Sequence, residues 1–342
     1  MGVMNTSHLR PPLRSPRITA PAIALASALG LATLSACAAG DDTDRSPKAA
    51  DGKLDVVASF YPMEYLAKEI GGDHVTVTGL TKPGQEPHDL ELRPRQVASL
   101  KKAGAILYLK GLQPAVDDAI KQSGNKNVAD AASFTSLKPH GTEVDGHHHE
   151  DEHSHHGHHH AHGHVHGGDD PHIWLDPAKY AEVAKGVNNT LAKADPAHRE
   201  IFRKNTDLLV KKLEDLDKKF ADGLRNRASD TFITTHAAFG YLAERYGLTE
   251  EAISGIDPVS EPSAARIVEL HKLAKEHHVG TVFFETIASP ATAKTLAGDL
   301  GLRTDVLDPL EGITDKSKGN DYIEVMNSNL TALQRALGTS TP

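Results

Sequence analysis

Leu54-Asp-Val-Val-Ala-Ser-Phe-Tyr-Pro-Met-Glu-Tyr-Leu-Ala-Lys-Glu-Ile-Gly71 is the stretch on which the fold turns. Residues 54–60 form a short apolar run that reads as a buried strand, and Pro62 then opens a helix running through Ile70. Residues 74–80 alternate as a second strand, 94–102 have helical spacing and 104–109 are again apolar. Strand and helix in alternation predict βαβ units and a parallel sheet. The order then returns. Tyr65-Leu-Ala-Lys-Glu-Ile-Gly71 matches Tyr241-Leu-Ala-Glu-Arg-Tyr-Gly247. A second strand follows in each half (74–80; 251–256), then a loop with Glu-Pro (Glu86-Pro87; Glu261-Pro262), a helix and a third strand (104–109; 279–285). Two similar α/β lobes with parallel sheets are the simplest reading.

Asp176-Pro177 and Asp195-Pro196 each place an N-cap carboxylate before a proline at the first helical position. In the second of these helices Ile201, Phe202, Leu208, Leu209, Leu213, Leu216, Phe220 and Leu224 recur at helical spacing, with no proline inside and no glycine before Gly223. The spacing predicts a long, stiff strut joining the lobes. The expected division is 53–194 for the first lobe, 195–226 for the linking helix and 227–342 for the second lobe.

Residues 1–36 are set apart from this fold. Arg10, Arg14 and Arg17 precede an apolar segment rich in Ala, Leu, Ser and Gly from 18 to 34, the pattern of an export signal. Leu34-Ser-Ala-Cys37 resembles the bacterial lipobox, in which the cysteine becomes the lipidated N-terminus. Cys37 is the sole cysteine and has no internal disulfide partner. Two acyl chains give stable anchoring, with the polar residues through 52 as a tether. Without Arg10, Arg14 and Arg17 the 37 basic residues fall to 34 against 46 acidic ones, net −12 with His neutral. That balance disfavours nucleic acid and favours a cation as partner.

Histidine is the outlier, at 22 residues. Most crowd into a low-complexity segment of His, Gly and acids (140–168), which lacks the apolar residues a packed structure needs. Its His147, His148, His149, His153, His155, His156, His158, His159, His160, His162, His164 and His166 form an expected auxiliary loop that binds zinc weakly. His149-Glu-Asp-Glu-His153 fits a metalloprotease motif formally. That chemistry needs an ordered amphipathic helix, which Gly and His flanks do not supply. Outside the segment, His74, His198, His271, His277 and His278 read as surface or capping residues. His88, His172 and His236 differ: each lies where a strand ends or just before a helix, and ligands in α/β folds gather beyond the carboxyl ends of strands. Asp308 has the same placement. Three imidazoles and a carboxylate would complete a tetrahedral zinc shell. Their spacing alone leaves open whether they share a site or merely cap loops.

Gln85-Glu-Pro-His-Asp-Leu-Glu-Leu-Arg-Pro94, Asp170-Pro-His-Ile-Trp-Leu-Asp-Pro177, Thr235-His-Ala-Ala-Phe-Gly-Tyr-Leu242, Phe283-Phe-Glu-Thr286 and Leu307-Asp-Pro-Leu310 are similar to the motifs of the ZnuA-like zinc-specific substrate-binding lipoproteins of ABC importers. The resemblance implies two (β/α) lobes joined by one rigid helix, with the metal in the cleft between them. Its implied ligands fall on His88, His172, His236 and Asp308. Some members carry a carboxylate directly before the first histidine. Here Pro87 stands there with Glu86 one place further back, which favours Asp308 over Glu86. Glu285 reads as a residue that holds an imidazole N–H. The manganese binders related to this family place a carboxylate where His236 stands, so the donor set favours zinc.

The resemblance further implies an exported, monomeric, non-enzymatic protein, lipid-anchored on the outer face of the membrane, that hands zinc to an ABC permease. A zinc hydrolase would instead keep an open coordination position and a nearby base. A zinc buffer would act mainly through the histidine-rich loop.

Overall fold

The computed structural model describes residues 52–141 and 168–339. The expected export signal, Cys37, the tether up to residue 51 and the loop histidines from His147 to His166 lie outside these residues. Among the described residues no helix is long and apolar enough to cross a membrane.

The first lobe runs β1 (Leu54–Ala58), α1 (Tyr61–Gly71), β2 (Val75–Gly79), α2 (Pro94–Lys102), β3 (Ala105–Tyr108), α3 (Pro114–Ser123) and β4 (Val128–Asp130). Two helices follow, α4 (Pro177–Ala194) and α5 (Arg199–Gly223). The second lobe runs β5 (Thr231–His236), α6 (Gly240–Tyr246), β6 (Thr249–Ser254), α7 (Ala264–Glu276), β7 (Thr281–Phe284), α8 (Ala291–Leu300), β8 (Arg303–Val306) and α9 (Tyr322–Leu337). Both sheets are parallel, ordered β2-β1-β3-β4 and β6-β5-β7-β8. The two Tyr-Leu-Ala segments fall on α1 and α6, the first helix of each lobe. Strand β4, three residues long, completes the first sheet; so short a strand leaves no alternation to read.

Alternate strand residues divide two kinds of core, as the two-residue side-chain period requires. Val57 and Ile106 point outward onto Leu100 of α2 and Val116 and Ile120 of α3. Ile233 and Val282 point outward onto Leu270 of α7 and Leu296 of α8. The inward residues Val56, Ala58, Leu107, Phe232 and Phe283 belong to one continuous core. That shared core contains Leu66 of α1, Tyr180 of α4, Leu213 and Phe220 of α5 and Val325 of α9. The inner faces of the two sheets are therefore fused through common helices, leaving no bare waist at which to hinge.

Asp176 caps α4 as its sequence predicts, accepting from Ala178 N at 2.8 Å. Asp195 does not cap α5. A 3-10 turn over residues 196–198 intervenes, and the Asp195 carboxylate lies 2.7 Å from His198 Nδ1. The proline still starts helical structure, but three residues earlier than α5 itself.

Candidate metal centre

In each sheet the strand order reverses between its first and third strands, and at such a switch point the connecting loops diverge and leave a crevice. His236 is the last residue of β5 and Glu285 follows β7, so the pair spans the crevice of the second sheet. His236 Nδ1 and Glu285 Oε1 are 2.6 Å apart, and Thr235 Oγ1 donates to the same carboxylate oxygen. His88 comes from the loop between β2 and α2, where Glu86 accepts its backbone N–H at 3.1 Å. His172 sits in the turn before α4. Its backbone N–H and its Nδ1 both meet Asp170 Oδ1, at 2.9 and 2.8 Å. Glu311 arrives from the loop after β8.

His88, His172, His236 and Glu311 each offer one ligand atom, and these four atoms lie within 4.8 Å of one another. The Nε2 atoms of His88, His172 and His236 stand 3.2, 3.4 and 3.5 Å from a single oxygen, Glu311 Oε1. A tetrahedral ion with bonds of about 2.0–2.1 Å to nitrogen and oxygen separates its ligands by about 3.3–3.4 Å. The three nitrogen–oxygen separations thus match edges of such a tetrahedron. Asp170 and Glu285 at the Nδ1 atoms of His172 and His236 orient the two rings with Nε2 toward Glu311, and would fix the tautomer that leaves Nε2 free for a metal. Those two Nε2 atoms and Glu311 Oε2 are buried without a hydrogen-bond partner. Such orphaned groups are costly unless a ligand satisfies them.

Charge is concentrated here. Burial alone would lower the pKa of His172, but the Asp170 and Glu311 carboxylates outweigh it and lift it to about 9. His236 is likewise raised, against burial, by Glu285 and Glu311. Burial would raise Glu311, yet the three imidazoles hold it well below the ordinary carboxylate range. Glu86 goes the other way: burial, reinforced by the Glu311 carboxylate, pushes it up to about 8. An anionic oxygen ringed by three nitrogen donors is a centre for a divalent cation that imidazole suits.

The structure gathers three of the four residues on which the sequence reading placed the ligands, His88, His172 and His236. Asp308 is not in the group, whose carboxylate is that of Glu311. Glu86 and Glu285 flank it, on the His88 backbone and the His236 ring respectively. Sequence reasoning did not single out Glu311, although it stands three places beyond Asp308 in Asp308-Pro-Leu-Glu-Gly312, a loop already marked as a ligand-bearing strand end. Asp170 and His140, although they lay in a quoted motif and at the start of the histidine-rich segment, were given no role at the site; His140 Nδ1 lies 3.2 Å from Asp170 Oδ2.

Two parallel α/β lobes around a buried three-imidazole, one-carboxylate cluster define a protein of the cleft-type, metal-binding class. A family model described as zinc-uptake complex component A, periplasmic (ZnuA), matches residues 56–336, and the chain belongs to this family. The high-affinity zinc uptake system protein ZnuA of Bacillus subtilis is 38% identical over 317 residues, spanning 90% of this chain and 97% of that protein. The zinc-binding lipoprotein AdcA of Streptococcus pneumoniae is 37% identical over 301 residues, 86% of this chain. The match spans only 58% of AdcA's own length. Among solved structures, the Zn(II)-bound ZnuA-like domain of Streptococcus pneumoniae AdcA aligns with a TM-score of 0.68 and 34% identity, over 84% of this chain and 99% of that one. The laminin-binding protein Lbp of Streptococcus pyogenes aligns at 0.69 with 30% identity, over 83% and 99%.

Proposed function

We propose that this protein captures one zinc ion through His88, His172, His236 and Glu311 and delivers it to the permease of an ABC importer. The observation that carries the reading is the convergence of three Nε2 atoms on one Glu311 oxygen at tetrahedral spacing. Three imidazoles and one carboxylate favour zinc over manganese, which prefers oxygen donors. All four tetrahedral positions are supplied by side chains, the arrangement of a holding site rather than one that activates a bound water. Relatives described as a lipoprotein and as an uptake-system component support export, anchoring through Cys37 and a permease partner. The expected division into two lobes and a linking helix is kept in this reading, with α5 as the strut.

Competitive zinc titration of the full chain, of a variant lacking 142–167 and of His236→Ala tests it. One tight ion should survive loss of the loop. His236→Ala should weaken that ion at least about tenfold, or roughly 1.4 kcal/mol. Tight one-to-one binding that vanishes with the loop would instead assign the main task to the histidine-rich segment.

A further inference from the structure

The loop that presents Glu311 is held unusually firmly, and Asp308 is at the centre of what holds it. Asp308 is buried, at 3% exposure. Its Oδ1 accepts the backbone N–H of Leu310 at 2.9 Å, and its Oδ2 accepts from Thr286 Oγ1 at 3.2 Å. Leu310 has φ +58°, a left-handed conformation that costs a branched side chain energy and persists only where neighbours impose it. The peptide of Asp308 itself is gripped at both ends by one side chain: its N–H donates to Asn329 Oδ1 at 2.9 Å, and Asn329 Nδ2 donates to its carbonyl at 2.7 Å. Trp174 Nε1 donates to the Pro309 carbonyl at 2.7 Å.

We infer that Asp308, clasped by Asn329 from α9, is a positioning residue that sets Glu311 against the three imidazoles and is not itself a ligand. The inference rests on Glu311 being the fourth donor, as proposed above. Both Asp308 oxygens are engaged within the protein, one by the peptide that turns the chain into Glu311. The other is engaged by Thr286, the neighbour of the Glu285 that holds His236. One buried carboxylate thus ties the segment carrying Glu311 to the segment orienting His236. The left-handed Leu310 is the feature that requires this. Without the acceptor at Oδ1 its N–H is unpaired, and the chain is free to relax to an ordinary backbone angle, swinging Glu311 away.

A ligand and a brace differ in what an amide substitution does to them. Asp308→Asn keeps an acceptor for Leu310 N–H and offers Thr286 a donor, but removes the negative charge a metal would need. Zinc affinity by competition, and the visible absorption of bound cobalt(II) as a probe of geometry, should be measured on the full chain for Asp308→Asn, Asp308→Ala, Asn329→Ala and Glu311→Gln. A brace predicts that Asp308→Asn stays within about threefold of the parent with an unchanged cobalt spectrum. Asp308→Ala and Asn329→Ala should lose at least about tenfold and shift the spectrum although Glu311 is intact. Should Asp308→Ala fail to fold, Asp308→Asn and Asn329→Ala carry the decision. The inference is overturned if Asp308→Asn loses as much as Glu311→Gln, or if Asn329→Ala leaves affinity and spectrum alone. An unchanged affinity in Glu311→Gln would overturn the ligand assignment instead, whatever the Asp308 variants do.

Discussion

His140, Asp170 and His172 form a chain of polar contacts leading into the metal centre. Asp170 is fully buried and takes His172 Nδ1 on one oxygen and His140 Nδ1 on the other, at 2.8 and 3.2 Å. His140 is fixed in turn by Glu244 Oε2 at 3.1 Å from its Nε2 and by an edge-to-face contact with Tyr241. Outer partners of this kind fix a ligand's tautomer, and their loss typically costs 10–100-fold in affinity. Asp170→Ala should therefore lower zinc affinity by about 10–100-fold with every proposed ligand still in place. An unchanged titration would show that burial alone orients His172.

Protonation gives a second residue-scale prediction. In metal-free protein His172 titrates at about 9 rather than 6.5, so its contribution to stability is complete below pH 6.5 and is lost as pH rises through about 9. Glu311, lowered from 4.5, contributes above that value and loses its contribution only as pH falls through its depressed folded value. Zinc binding runs opposite to His172, because an imidazolium cannot ligate. The difference in Tm between zinc-loaded and metal-free protein should widen as pH rises from about 6.5 to 9. A difference that narrows over that range contradicts histidine ligation.

At this scale the gathering of His88, His172 and His236 was legible because strand ends are where such folds bind, and imidazole declares its chemistry. The carboxylate that joins them in space was not. Asp308 and Glu311 share one loop, and between them stands the left-handed turn at Leu310, which no local pattern announces.

Among the elements, α4 carries a sharp packing demand. Gly186 lies within it, and a Cβ there would come within 2.2 Å of the Phe134 ring. In an open helix, glycine to alanine gains about 1 kcal/mol. Here overpacking of about 1–3 kcal/mol should dominate, so Gly186→Ala lowers the unfolding midpoint in denaturant. A raised midpoint would mean that Phe134 moves aside without cost. Helices α2 and α5 were read from sequence to within a turn, whereas α3 was not read although Pro114 opens it. The start of α5 lies three residues beyond Pro196, and Asp195 turns its carboxylate to His198 instead of capping it, a choice open to any acid followed three residues later by a histidine. Strand β4 was missed because three residues carry too little pattern, and only its neighbour β3 defines it.

For the whole molecule, the fused inner core implies a stiff frame. Trp174 is bonded to the second lobe twice, through Nε1 to Pro309 O and through its carbonyl to Tyr322 Oη at 2.6 Å, while its ring packs edge-on against Phe60 of the first. These contacts tie the segment carrying residue 172 to the segment carrying residue 311 across the lobes. Small-angle scattering of metal-free and zinc-loaded protein should give radii of gyration that cannot be told apart. A compaction of several ångströms on loading would imply a hinge the shared core does not provide. The two-lobe plan was visible in the repeat of Tyr65 and Tyr241. The fusion was not, because it depends on which faces of α1, α4, α5 and α9 meet in space.

Anomalous diffraction at the zinc edge, from crystals of the zinc-loaded protein, reaches the central claim most directly. It should reveal one strong peak about 2.0–2.1 Å from Nε2 of His88, His172 and His236 and from a carboxylate oxygen of Glu311. A peak bonded to Asp308 in place of Glu311, or zinc held only by the histidine-rich segment, would contradict it.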